Sequence, residues 1–266
     1  MGLSDKEIED LTTDYHQRGY GKHLKEDYNG AIADLDKAIG LNPDDAEHYS
    51  TRGRVKYEHG DLDDAIKDFD KAIDLNPKDS SSYVQRGDAK YKKGETNAAM
   101  LDFTRAVLIN PSGWTYYARA DARKKRKDFT GALEDYTNGI KFDLKNAYYY
   151  CARGEVRYEL HAYDEAINDF TRAIELSPRY DYAYVWRGYT RKKMGDYPEA
   201  IGDYTKAIEI NPDYAEAYYY RGHAWYNKGN YTNAINDWKQ AIKIDPSKEK
   251  ELSPLIEKAK QAKEKK

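Results

Sequence analysis

At 266 residues with a formal net charge of -3, the chain has no overall drive toward nucleic acid or an anionic membrane, so any such attraction would have to be local. Its single cysteine, Cys151, excludes an intramolecular disulfide and a cysteine-rich metal site. The 27 Tyr against 5 Phe put a phenolic hydroxyl on much of the apolar bulk, which suits half-exposed surfaces.

Met1 to Leu11 is too acidic and polar for a secretory signal, and Lys6 stands where a myristoylation motif wants Ser or Thr. No stretch approaches the roughly 18 apolar residues of a membrane span, so no membrane partner is expected and the expected compartment is the cytoplasm. From residue 12 onward the sequence is periodic. Arg52-Gly53, Arg86-Gly87, Arg153-Gly154, Arg187-Gly188 and Arg221-Gly222 recur in register, followed by Pro43, Pro77, Pro111, Pro178, Pro212 and Pro246. Seven repeats of about 34 residues result, at 12–45, 46–79, 80–112, 113–146, 147–180, 181–214 and 215–248.

Each repeat predicts two amphipathic helices. In the sixth, Tyr184, Arg187, Gly188 and Arg191 share one face; after Gly195-Asp196, a second face carries Tyr197, Ala200, Ile201, Tyr204, Ala207 and Ile208. Asn211-Pro212 closes the pair, because proline cannot extend a helix and disfavours helical geometry in the residue before it. The spacing Tyr, Gly, Gly-Asp-Tyr, Ala-Ile, Tyr, Ala-Ile, Pro resembles the tetratricopeptide repeat across residues 12–248. The resemblance implies an all-α fold, a right-handed α-solenoid superhelix whose first helices line a concave groove. Residues 1–11 are expected as a lead-in and 249–266 as a capping helix with a basic tail. Leu252, Leu255, Ile256 and Ala259 form the covering stripe, and Ser253-Pro254 fits a helix start.

The fourth repeat departs from the pattern, with Ala120 and Lys127 at the two glycine places, Gly139 for an alanine and Leu144 for the proline. The preceding junction, Pro111-Ser112-Gly113, is a residue short, and Thr96 in the third repeat stands where others place Tyr, Phe or Leu. An irregularity near 110–115 is expected, as simple drift or as a hinge between two half-grooves.

A charge ladder runs through all seven repeats: Arg18 with Asp34, Arg52 with Asp68, Arg86 with Asp102, Arg119 with Asp135, Arg153 with Asp169, Arg187 with Asp203 and Arg221 with Asp237. Two readings stand: an internal ion-pair ladder, in one repeat or between neighbours, or arginines facing a polyanion. Lys22, Lys56, Lys90, Arg123, Arg157 and Arg191 follow four residues later, with Trp225 in the seventh repeat. Their heads are expected to reach water.

By the resemblance, positions 2, 5, 6, 9, 12 and 13 of each repeat face the groove. Early repeats put polar residues there, among them His16, Gln17, Thr51 and Gln85. Later ones put Trp114, Tyr117, Tyr148, Tyr158, Tyr182, Trp186, Tyr189, Tyr219, Tyr220 and Tyr226. Clustered aromatics make anchors for a partner segment, although single members can equally pack between first helices. Lys124, Lys125, Lys192 and Lys193 also fall on groove positions, inside basic runs that are either solvated or suited to an acidic peptide with aromatic or apolar anchors, or to a carboxyl terminus.

The expected function is a non-enzymatic scaffold binding a protein or peptide, mainly in the fourth to seventh repeats. Self-association on the same surface is one alternative; nucleic-acid binding, drawn from Arg123 to Lys127 and nearby tyrosines, is another and less favoured. The carboxylate clamp that holds chaperone EEVD-type tails is missing, since its positions read His16, Tyr20, Thr51, Ser81 and Gln85. No cofactor, metal or catalytic residue is expected, because the six histidines show no paired metal-ligand spacing and there is no phosphate-binding glycine loop.

Overall fold

The computed structural model describes residues 4–264, and among these it contains fifteen α-helices and no strand. The ends of the expected lead-in and of the basic tail lie outside the described residues. The helices fall into two compact blocks, one ending at Arg126 and the other beginning at Lys127. The first holds α1 (Asp5–His23), α2 (Tyr28–Leu41), α3 (Ala46–His59), α4 (Leu62–Leu75), α5 (Ser80–Lys92), α6 (Thr96–Ile109) and α7 (Gly113–Lys125). The second holds α8 (Phe129–Phe142), α9 (Ala147–Glu159), α10 (Tyr163–Leu176), α11 (Asp181–Lys193), α12 (Tyr197–Ile210), α13 (Ala215–Asn227), α14 (Tyr231–Ile244) and α15 (Glu249–Glu264).

Within each block consecutive helices pack as hairpins, and each hairpin stacks on the next. The turn inside a hairpin needs one left-handed residue. Gly60, Gly94, Gly195 and Gly229 supply it with φ of 104°, 87°, 88° and 72°. Glu26, Lys127 and His161 hold the same place at φ 62°, where a side chain is strained by about 1–2 kcal/mol. The sequence singled out only Lys127. His161→Gly is therefore expected to stabilise the second block by about 0.5–1 kcal/mol, part of the relieved strain being offset by glycine's greater unfolded freedom. Urea unfolding checks it, and an unchanged or lower midpoint would count against the strain.

Second helices end on an extended residue before proline, from Asn42 at φ -135° to Asp245 at φ -126°. Asp143 reaches φ -143° although Leu144 follows it, so the proline reinforces this geometry without being required for it. First helices gain caps from the same loops: Asp45 accepts from the Glu47 amide at 2.8 Å, and Asn146 from the Tyr148 amide at 3.1 Å.

The cores are alanine-rich, with one large side chain per hairpin lodged under a glycine. Around α10, Ala166, Phe170 and Ala173 are fully buried with Cys151 and Ala183. A Cβ on Gly154 would lie 2.7 Å from Phe170 Cε1.

Three expectations change. From Asp5 the lead-in is continuous with α1, whose N-terminus Ser4 and Glu7 close as a capping box. The stripe on α15 does cover the last hairpin, Leu252, Ile256 and Ala259 being buried against Trp238, but Ser253-Pro254 does not start the helix. Asp245 caps a 3-10 turn at Pro246–Lys248 that runs directly into α15, leaving Pro254 inside with one backbone bond forgone. The 110–115 junction is tightly bonded: Thr115 is buried and its hydroxyl donates to the Asn110 carbonyl at 2.8 Å. The division between blocks falls instead between Arg126 and Lys127, inside the fourth repeat.

Candidate functional site

The ladder arginines are engaged within the protein, although Arg18 keeps 47% of its side chain exposed. Arg18, Arg52, Arg86, Arg153, Arg187 and Arg221 each grip the carboxylate of their own repeat with two nitrogens, at 2.6 Å for Arg18–Asp34 and 2.8 Å for Arg221–Asp237, and those carboxylates are buried. Arg119 and Asp135, the remaining predicted pair, belong to different blocks. A third arginine nitrogen reaches back to the preceding repeat: Arg52 to Asp36 at 2.5 Å and Arg86 to Asp70 at 2.6 Å in the first block. In the second block the receiver is a hydroxyl, Thr137 for Arg153, Thr171 for Arg187 and Thr205 for Arg221.

The cations four residues on are not the free heads in water that the sequence suggests, but ion-paired. Lys22, Lys56, Lys90, Arg157 and Arg191 each close on the same buried carboxylate, at 2.7–2.9 Å. A second cation offsets burial. Hydrogen bonds from Arg18, aided by Lys22, hold the Asp34 carboxyl well below the usual carboxylate range. In the seventh repeat Trp225 replaces that cation, and burial pushes the Asp237 carboxyl up despite Arg221. One more layer was missed: each ladder arginine lies over the tyrosine three residues before it, from Arg18 on Tyr15 at 4.8 Å to Arg119 on Tyr116 at 5.8 Å.

With the ladder satisfied, an aromatic concavity stands out in the second block. Helices α9, α11 and α13 bring Tyr158, Tyr182, Trp186, Tyr189 and Tyr220 around a cavity of about 270 Å³, completed by Glu159, Val185, Tyr214 and Glu216. Neighbouring rings meet steeply: Tyr158–Trp186 at 67°, Tyr182–Trp186 at 70° and Trp186–Tyr189 at 87°, with centroids 5.7–6.2 Å apart. Burial, reinforced by nearby carboxylates, raises the phenols of Tyr182 and Tyr214 far above the ordinary tyrosine range. Glu159 and Glu216 hold groove positions and are legible in the register; Tyr214 precedes α13 and carries no signal of its own.

The other expected groove residues are dispersed. Trp114, Tyr117, Lys124 and Lys125 belong to the first block. There Asp121 engages Lys125 at 2.7 Å and Lys124 at 3.8 Å, and Lys125 lies over Tyr91. Tyr148 is exposed and packs on Tyr180. Tyr219 bonds Glu251 of α15, while Tyr226 packs on Tyr231 and Trp238. Lys192 is sandwiched over Tyr189 and Tyr220, at 4.8 and 5.0 Å, and burial lowers its ammonium to about 8. Lys193 is exposed.

Cys151 is buried in the core of its block, so it serves packing. Among the described residues no three His, Cys, Asp or Glu gather as a metal site, and no helix is long and apolar enough to cross a membrane.

Sequence profiles of the TPR repeat match residues 53–94, 154–195 and 188–229, and profiles of the tetratricopeptide repeat match 15–45, 80–112 and 215–248. Among solved structures, MamA is 27% identical, with 62% of this chain and 96% of that chain covered at a TM-score of 0.57. A tetratricopeptide repeat protein from Parabacteroides merdae is 20% identical over 95% of this chain and 98% of its own, with a TM-score of 0.68. YrrB, described as a TPR protein with an unusual peptide-binding site, is 23% identical over 69% and 95%, with a TM-score of 0.56. The last two speak for the fold alone. No curated protein matches the chain in sequence.

Proposed function

Because the chain belongs to the tetratricopeptide repeat family, whose members are protein-interaction scaffolds, we propose that it is a non-enzymatic adaptor that holds a segment of a partner protein on the aromatic face of α9, α11 and α13. The observation that carries this reading is the convergence of six aromatic rings on one open cavity. Large side chains with few rotors lose little entropy when a partner docks, and rings in a concavity desolvate what enters it. The ladder charges are spent inside the repeats, which speaks against the ladder and in favour of this face for recognition. It is narrower than the groove the sequence suggests: Tyr219 and Tyr226 support α15, and Lys124 and Lys125 are engaged with Asp121.

Affinity capture with the wild-type chain beside a Tyr158→Ala, Trp186→Ala variant tests the reading, after circular dichroism shows the variant folded. A partner held by the wild type and reduced at least tenfold by the variant is expected. Equal capture by both would move the binding surface elsewhere.

A further inference from the structure

We infer that the cavity beside Trp186 receives the cationic head of an arginine or lysine carried by the partner segment; the inference rests on the binding face proposed above and names what enters it. Three observations converge. First, the rings around Trp186 meet at 67°, 70° and 87°, so they stand as walls with faces turned in more than one direction, not as a flat slab. A ring face is the negative end of the aromatic quadrupole and attracts a cation.

Second, the repeat register shows what such rings hold elsewhere in this chain. At position 12, Tyr57 has Lys92 over its ring at 5.0 Å and Tyr91 has Lys125 at 5.4 Å, each lysine coming from position 13 of the following repeat. The same register would set Lys193 on Tyr158. Instead Lys193 is exposed, and no basic side chain of the described residues lies over Tyr158, Tyr182 or Trp186. The place that an internal lysine fills twice in the first block holds no cation here, the ring neighbours of Tyr158 being Tyr163, Trp186 and Tyr189.

Third, the cavity carries carboxylates beside the Lys192 ammonium, which is already held over Tyr189 and Tyr220. Glu159 sits at position 13, where the third, fourth and sixth repeats carry Lys92, Lys125 and Lys193, and Glu216 lines the opposite repeat's contribution to the cavity. Glu216 shares its charge with Lys248 at 3.3 Å, whereas Glu159 is exposed and has no basic partner. Burial first, and then Glu155 and Asp181, raise the phenols of Tyr182 and Tyr214, which keeps those rings neutral. An acidic segment, expected from the lysines in the sequence, would meet these carboxylates with like charge. A basic one is complementary.

The test is an NMR titration of the full chain labelled at its tryptophan indoles, the Trp186 signal being assigned with Trp186→Phe. The probes are acetyl-Ala-Arg-Ala-amide and its Leu, Gln and Glu counterparts. The arginine peptide is expected to move the Trp186 signal with millimolar affinity, at least about fivefold tighter than the other three. Glu159→Gln, an exposed change that should leave the melting curve in place, is expected to weaken it about threefold and to steepen no other titration. If the Leu or Glu peptide shifts Trp186 as strongly as the Arg peptide, the cationic assignment falls while the binding face stands. If no peptide shifts it and capture is unchanged by Tyr158→Ala, Trp186→Ala, both fall.

Discussion

Replacing Asp203 with alanine is expected to cost about 3 kcal/mol of unfolding free energy, among the largest effects of any single change that leaves the core volume nearly intact. Its buried carboxylate accepts from Arg187 at 2.7 Å and from Arg191 at 2.7 Å, and Arg187 also bonds Thr171. Removing the acid leaves two cations side by side with no counter-charge. Arg191 keeps 24% of its side chain in water, which holds the figure at the low end for a buried network. Urea unfolding followed by circular dichroism would measure it. The comparison is Asp203→Ala with both arginines changed to Met, which should recover most of the loss; a cost below about 1 kcal/mol for the single change would show that the ladder is ornamental to stability.

Gly154→Val is expected to cost about 2–4 kcal/mol. Its Cβ would stand 2.7 Å from Phe170 Cε1 and 3.0 Å from Cδ1 and Cζ, and Phe170 is fully buried, so the ring has nowhere to withdraw. Gly202, on α12 with nothing within 4 Å of a new Cβ, is the control: Gly202→Ala should gain about 0.5–1 kcal/mol from helix propensity alone. Thermal melts of the two variants beside the wild type separate close packing from propensity. A Gly154→Val melt within a degree of the wild type would mean that α9 and α10 can part at little cost.

The helix pairs, their glycine and alanine contacts and the ladder partners were legible because each depends on spacing within one repeat, where a 3.6-residue period and a constant offset determine which side chains meet. The second cation on each carboxylate and the contacts that cross from repeat to repeat were not. Lys56 and Arg191 look like solvated cations in sequence, since nothing in a linear register shows that a carboxylate oxygen already bonded by the first arginine also accepts from them. Likewise Lys192 reads as a groove cation, and only stacking of α13 on α11 reveals Tyr189 and Tyr220 closing over it. Trp186 and its neighbours were legible as a cluster. That they converge on one concavity, while Tyr219 and Tyr226 turn to α15, depends on where the last hairpin ends.

The reach of each ladder arginine into the preceding repeat bears on how such a chain can lengthen. Within the second block a repeat copied whole would bring an arginine, the aspartate that neutralises it, and the threonine that receives the next arginine, as Thr171 receives Arg187 and Thr205 receives Arg221. Inserted in phase, the copy would strand no buried charge at either seam. A duplication out of phase would orphan an arginine and an aspartate at once, so the ladder admits growth by whole repeats and penalises every other length.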